Sequence, residues 1–496
     1  MKILKYIAAG VVALVGFNSC SSGFLDTEAT KYLGENEAAS AAAKNPDVFL
    51  NGIWSQMVAY EGGTEDYHER YSYLSWLMYL QVMGEDMSHD NGQTDYYWDY
   101  QLDYRMANWV RTSLIWGGFY SLIDKANAII SLYPDGGKTV DEKGLLGQAL
   151  AIRGMSYTYL VQVYQDYMNE DGTIKTDAPA VPVFYTPADG KTAAEMEAAK
   201  GRNSVGFVLE QAGKDLEKAV ELLGAGYVRP SKNYIDVHVA NGLLARYYLL
   251  TQQWEDAAKA ANAARQGFSI MGKDALYAGF NDISNEEWMW GFKHTTETQT
   301  SFASFFSWMD SSAPGYGGLW GAVTIDRKLY DQIPETDYRK NQFTGPNGDK
   351  TKTRNAARPY ANVKFITKAN WVSDYLYMRA SEMVLIEAEA YAHLGQGDKA
   401  AQTLKVLMAN RQPDWNESSV TVEDVYLQRR IELWGEGFTF FDLKRLNKGI
   451  DRNYEGNNYP TGLALTVPAH SVLWTFQIPL REIQENFNIS EDEQNP

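Results

Sequence analysis

Residues 234–265 read YIDVHVANGLLARYYLLTQQWEDAAKAANAAR, and residues 379–410 read RASEMVLIEAEAYAHLGQGDKAAQTLKVLMAN. Each stretch holds two helical periods around a short polar break. In the first, Tyr234 to Leu250 and Trp254 to Arg265 flank Thr251-Gln252-Gln253. In the second, Arg379 to Leu394 and Asp398 to Asn410 flank Gly395-Gln396-Gly397. The two match at an offset of 143 residues: Ala245-x-x-Tyr248 answers Ala388-x-x-Tyr391, and Ala257-Ala258 answers Ala400-Ala401. Small residues facing bulky ones let paired helices approach closely, as in tetratricopeptide arrays. The pairs are spread along the chain rather than tandem. The predicted fold is therefore mainly α: a tetratricopeptide-like helical-hairpin scaffold with large loop-rich insertions and a few short strands.

Further helical periods lie on either side. They cover Pro46 to Tyr60, Tyr67 to Met83, Trp109 to Tyr133, Leu145 to Tyr164 and Val205 to Leu223. Pro134-Asp135-Gly136-Gly137 ends the third, and Gly224 and Gly226 end the last. The spacing in Leu145 to Tyr164 predicts an amphipathic helix. Gly84 to Asp103 loses the period and reads as a loop or irregular insert. Ala178 to Lys200, with three prolines, reads as a long connection, and Gly267 to Asp374 as a loop-rich insertion. Within that insertion, Glu287 to Lys293 alternates Trp288, Trp290 and Phe292, which predicts a short strand.

Cys20 is the only cysteine in 496 residues. Lys2 and Lys5 form a basic start, Ile7 to Phe17 an apolar run too short to span a bilayer, and Ser19 places a small residue before the thiol. That arrangement predicts a bacterial lipoprotein signal over 1–19 and a lipidated tether over 20–34. A single domain then fills 35–496, with insertions near 84–103, 165–204 and 267–374. A lipid on Cys20 consumes the only thiol and so excludes disulfides, thiolate nucleophiles and cysteine-bound metals. More than one acyl chain makes such an anchor firm.

Without the leader, 43 Lys and Arg face 63 Asp and Glu, a net charge of −20. That argues against nucleic acid and most long polyanions, whose binding needs a basic face. Asp326 to Lys368 reverses the balance, with ten cations against five acids. It reads as a solvated loop or as a contact for an acidic ligand.

Catalytic signatures fail one by one. Gly267-x4-Gly272-Lys273 resembles a phosphate-binding loop, but Asp274 stands where Ser or Thr is needed and a helix precedes it. There is no Gly-x-Ser-x-Gly and no His-Glu-x-x-His, and the six histidines are scattered. A glycosidase needs two positioned carboxylates, and spacing cannot find such a pair among so many acids. Glu85, Asp86, Asp90, Asp95, Asp99 and Asp103 offer hard oxygens for a structural Ca²⁺, yet they lack the EF-hand spacing and read better as solvated acids.

Two aromatic loops remain, Asp90 to Tyr100 and Phe302 to Trp320. In the second, Gly315, Gly317, Gly318 and Gly321 would lend backbone freedom. Tyr and Trp offer flat apolar faces with a polar edge, which suits the C–H face of a sugar ring. Loops on a rigid scaffold commonly carry binding residues. The competing role for these rings is to plug the core beneath the loops. Trp98 and Trp320, flanked by polar residues or glycine, are the ones expected at the surface.

Arg429-Arg430-Ile431-Glu432-Leu433-Trp434-Gly435-Glu436-Gly437, followed by Phe440-Phe441-Asp442-Leu443-Lys444-Arg445, resembles the signature of the SusD/RagB family of surface glycan-binding lipoproteins. Ile478-Pro479 with Glu482, Asn486 and the closing Asn495-Pro496 resemble the family's ending. So do Trp116-x3-Tyr120-x2-Ile123-x2-Ala126-Asn127, the stretch Met378-Arg379 to Ala390, and Phe24-Leu25-Asp26 after the lipidation site. Gln428 and Thr439 depart from the pattern, standing where the family has Glu and Arg. Arg430, Glu432, Glu436, Asp442 and Arg445 read independently as a structural ion-pair network holding a helix end.

The resemblance implies a non-catalytic glycan-binding lid, lipid-anchored on the outer membrane, that delivers oligosaccharide to a SusC-like TonB-dependent transporter. It also implies a ligand site on aromatic loops. Tyr96, Tyr97, Trp98, Trp308 and Trp320 are the positions that fit, with Asn91 and Asp95 as hydroxyl partners. No cofactor is expected. The alternative cargo is peptide, for which the basic Arg327 to Lys368 stretch would suit acidic sequences. A surface glycosidase is a third and weaker reading.

Overall fold

Helices form where apolar residues recur every three to four positions, and the chain is carried by eleven that matter here. They are α1 (Asp47–Gln56), α2 (Tyr73–Gln81), α3 (Val110–Ile130), α4 (Val140–Tyr164), α5 (Val205–Leu223), α6 (Val237–Leu250), α7 (Trp254–Arg265), α8 (Ala380–His393), α9 (Gly397–Met408), α10 (Val422–Glu432) and α11 (Thr439–Arg445). The computed structural model describes residues 47–62, 67–92 and 94–496. Cys20, the leader, the tether and Phe24-Leu25-Asp26 lie outside the described residues. Phe49–Pro496 forms one unit.

From α3 to α9 each helix packs on the next, and α8 also packs on α10. The repeat seen in sequence is a repeat in space. Ala245, Ala257, Ala258, Ala388, Ala400 and Ala401 are all buried, so the small residues sit on the packed faces. The turns match as well. Gln252 (φ 61°) and Gly395 (φ 72°) occupy equivalent left-handed positions. Gln253 N–H donates to the Tyr248 carbonyl at 3.0 Å, as Gln396 N–H does to Tyr391 at 2.9 Å.

Two expectations about α4 are corrected. It starts at Val140, five residues early, because Thr139 and Glu142 form a reciprocal capping box that satisfies the first N–H groups. Nor is it amphipathic: every residue from Gly144 to Tyr164 is buried. Its polar groups are satisfied internally. Ser156, Thr158 and Gln162 donate to carbonyls one turn back. Arg153 pairs with Asp215 and Asp189 at 2.7 Å. Gly147 and Gly154 admit α5, since a Cβ there would meet Leu223 and the Ala212 carbonyl at 2.8 Å.

Three antiparallel strand pairs join distant segments: β1 (Met87–His89) with β3 (Val323–Ile325), β2 (Trp288–Phe292) with β4 (Tyr375–Arg379), and β5 (Ile450–Asp451) with β6 (Thr466–Val467). β2 is the strand expected within Glu287 to Lys293. β1 lies in Gly84 to Asp103, the segment read as a loop or irregular insert, and adds a strand the sequence did not show. Three residues are too few for a period, and the partner strand lies far along the chain. The same segment holds a helical turn at Tyr97–Tyr100, and the expected connection over Ala178 to Lys200 holds Ala193–Ala198. None of the described helices is long and apolar enough to cross a membrane.

Candidate functional site

The β1–β3 pair is what brings the two aromatic loops together. Beyond its end, Asp90 N–H donates to the Ala322 carbonyl at 3.0 Å. Asn91 Nδ2 donates to the Trp320 carbonyl at 3.2 Å. Arg358 pairs with Asp90 across the same junction. Close approach also explains the glycines. Gly315, Gly317, Gly318 and Gly321 all keep ordinary φ, so they do not supply left-handed turns. A Cβ on Gly318 would run into the Ala313 carbonyl, and one on Gly321 into the His89 ring. Compactness, rather than freedom, is why they are glycine.

Ser304 caps the short helix Phe305–Met309 through a 3.1 Å bond from Ser307 N–H, which sets the direction of Trp308. The Trp308 and Tyr316 rings lie face to face, 4.0 Å apart and 4° from parallel. Trp308 Nε1 donates to the His68 carbonyl at 3.2 Å. His68 Nδ1 and Tyr316 Oη are 2.8 Å apart. Trp320 stands 64% exposed, its ring 5.5 Å from Tyr316. Together with His89, Thr94 and Asp95, these rings line an open cleft of about 270 Å³, a little smaller than most small-molecule sites. Burial, with the nearby Glu69 charge adding to it, pushes the Asp95 carboxyl up. Burial lowers the His89 imidazole, against the pull of its bond with the Asn91 carbonyl at 2.5 Å.

The expected residues therefore divide. Asp95, Trp308 and Trp320 line the cleft. Asn91 braces it from behind through the Trp320 carbonyl. Tyr96 lies under Trp308, edge-on at 5.0 Å, and is buried, with its hydroxyl bonded to Tyr71 at 3.1 Å. That makes Tyr96 a support for the cleft. Tyr97 and Trp98 pair edge-to-face at 5.0 Å but do not line the cleft, and Tyr97 Oη accepts from Gln101. Trp98 is exposed all the same. His89, Thr94 and the His68 brace were not legible in sequence. His89 and His68 acquire their places from contacts hundreds of positions away, with Val323 and Tyr316, while Thr94 bonds to Tyr96 and Tyr97 beside it.

The loop acids are largely spent on arginines. Asp99 and Glu69 flank Arg111 at 3.3 and 2.8 Å, Glu85 and Asp86 pair with Arg430, and Asp90 pairs with Arg358. Burial pushes Asp99 up to about 7 despite the Arg111 charge. Among the described residues no group of three or more His, Cys, Asp or Glu is placed to hold a metal ion.

The basic stretch is committed inward only in part. Arg339 is fully buried against Asp337 and Glu432, and Lys364 is buried with its ammonium on Glu436 and on the Glu432 and Trp434 carbonyls. Lys340 and Lys368 pair with Glu335 and Asp282. Arg327, Lys328, Lys350, Lys352, Arg354 and Arg358 stay exposed, with Arg327 paired to Asp331 and Arg358 to Asp90.

The signature residues are paired, but mostly over long range. Asp442 meets Arg445 and Arg429, while Arg445 also meets Glu389. Glu432 receives Arg379 and Arg411 at 2.6 and 2.8 Å, and Glu436 receives Arg379 and Lys364. The two departures make hydrogen bonds in place of ion pairs. Gln428 accepts from Arg339, and Thr439 accepts from Gln81 at 2.7 Å.

Residues 61–249 match a family described as starch-binding and associating with the outer membrane, and residues 224–496 match the SusD family. The chain belongs to the SusD family. This SusD-family chain is similar to a SusD-like carbohydrate binding protein from Bacteroides vulgatus, with TM-score 0.76 and 26% identity over 92% of this chain and 98% of that one. It is similar to a SusD superfamily protein from Bacteroides thetaiotaomicron, with TM-score 0.71 and 20% identity over 91% and 99%. Surface glycan-binding protein A from Bacteroides uniformis shares the fold, with TM-score 0.63 and 18% identity over 91% and 99%. None of the curated proteins compared with the chain matches it. The mainly helical architecture read from the sequence is the one these SusD-like structures share.

Proposed function

We propose that this SusD-family protein is a non-catalytic oligosaccharide-binding protein, anchored at the outer membrane by lipid on Cys20, that passes its ligand to a SusC-like TonB-dependent transporter. The observation that carries the binding step is the exposed Trp320 indole standing over the Trp308–Tyr316 stack, with Asp95, Thr94 and His89 on the same cleft. A pyranose lays its C–H face on an aromatic ring while its equatorial hydroxyls reach the polar edge. The family description, starch-binding and outer-membrane associated, supports the same reading. So do the carbohydrate-binding and glycan-binding proteins of like fold.

Calorimetry against neutral oligosaccharides tests it. Trp320→Ala weakens binding about tenfold, worth about 1.4 kcal/mol, and leaves the thermal midpoint in place because the ring is exposed. Unchanged affinity would remove the cleft as the site. Incubation with the same polysaccharides releases no new reducing ends, and release would return the protein to the glycosidases.

A further inference from the structure

The aromatic surface does not stop at Tyr316. From Trp320 the rings run in single file: Tyr316 at 5.5 Å, then Phe302 at 6.2 Å, then Trp371 at 6.4 Å. Phe302 is 45% exposed and Trp371 half-buried, so the far end of the file faces solvent as the Trp320 end does. His68 locks the middle. Its ring stacks on Phe302 at 5.9 Å and 18°, its Nδ1 meets Tyr316 Oη, and its carbonyl takes the Trp308 indole N–H.

The backbone beneath Trp371 is unusual. Asn370 and Trp371 both have φ of 60°, in the left-handed region that a bulky aromatic rarely enters. Such strain costs on the order of 1–3 kcal/mol per residue and persists only where surrounding structure imposes it. Here the strained turn carries the indole that ends the file, beside Phe302. The neighbouring cation, Lys368, is turned to Asp282 and Asp374 at 3.2 and 3.5 Å. Stacking, rather than charge, is what this end offers.

We infer that Phe302 and Trp371 form a second stacking face for the ligand of the Trp320 cleft, continuous with it through Tyr316. The inference rests on the oligosaccharide reading above and deepens it: the ligand is a linear neutral oligosaccharide of roughly four pyranose rings or more, about one per aromatic ring of the file. A disaccharide reaches only one end.

The test is a length series on the full chain. Calorimetry compares the disaccharide and hexasaccharide of malto-, xylo- and laminari-oligosaccharides. Phe302→Ala and Trp371→Ala each weaken the hexasaccharide that binds by about fivefold, and leave the disaccharide held at Trp320 unchanged. Retained disaccharide binding and an unshifted thermal midpoint show that the variants fold. Trp320→Ala weakens both lengths. If Trp320→Ala weakens binding while both new variants hold the hexasaccharide as the native chain does, the second face is wrong and the cleft stands. Equal native affinity for disaccharide and hexasaccharide overturns it too. If no series binds, or Trp320→Ala changes nothing, the oligosaccharide reading falls and the inference falls with it.

Discussion

Among the described residues Arg452 has no carboxylate partner, yet it is fully buried. Its guanidinium donates to the carbonyls of Val82, Met83, Gly84 and Tyr100 at 2.6–2.9 Å. The first three carbonyls follow directly on α2, at the end where a helix dipole favours a cation, and the fourth closes the Tyr97–Tyr100 turn. The same contact ties down both ends of the loop that carries Asn91, Asp95 and Tyr96, so one side chain serves stability and site together. Arg452→Met keeps the apolar stem and removes the donors, leaving several buried acceptors unpaired at about 1–3 kcal/mol each. The expected result is a loss of at least about 3 kcal/mol in denaturant unfolding. A loss below about 1 kcal/mol would show that water replaces the guanidinium.

The two helical hairpins are the same element written with different turn residues. At the left-handed position the second uses Gly395 and the first uses Gln252, which anchors itself by donating from Nε2 to the Gly172 carbonyl at 2.6 Å. A Cβ on Gly395 would meet nothing within 4 Å, so the cost of adding one is conformational alone. Gly395→Ala therefore lowers stability by about 1 kcal/mol, read as a shift in the unfolding midpoint. No shift would mean that the α8–α9 turn relaxes out of the left-handed region.

For the whole molecule, buried carboxylates joined to buried arginines set the acid limit. Burial alone would raise Glu389, but Arg445, bonded to both of its carboxylate oxygens, holds it well below the ordinary carboxylate range. Glu432 is likewise held down, against burial, by Arg411 and Arg379. A carboxylate with a depressed folded pKa contributes stability that is complete above its unfolded value, near 4.5, and is lost as the pH falls below it. The native chain therefore outlasts Glu389→Gln by its widest margin above about pH 4.5, and the margin in thermal midpoint closes on acidification. A margin independent of pH would separate the stability of α8 and α11 from that charge.

The sequence by itself determined the helical hairpins, their offset repeat and the family signature, because a helix period and a small-residue face are written within a dozen neighbouring positions. It also marked Trp320 as a surface candidate through loop composition, and Asp95 through the family resemblance. Only the tertiary structure separated Trp320 on the cleft from Trp98 off it, and turned Tyr96 from a contact into a support. It also showed that most signature charges reach distant partners, with Glu432 bound to Arg379 and Arg411 and Arg430 to Asp86. The reason is physical. Loop composition singles out aromatic segments, but nothing in the spacing announces the Trp308–Tyr316 stack, and His68 and Asn91 reach that loop from far along the chain. Pairing between segments so far apart leaves no period in the chain.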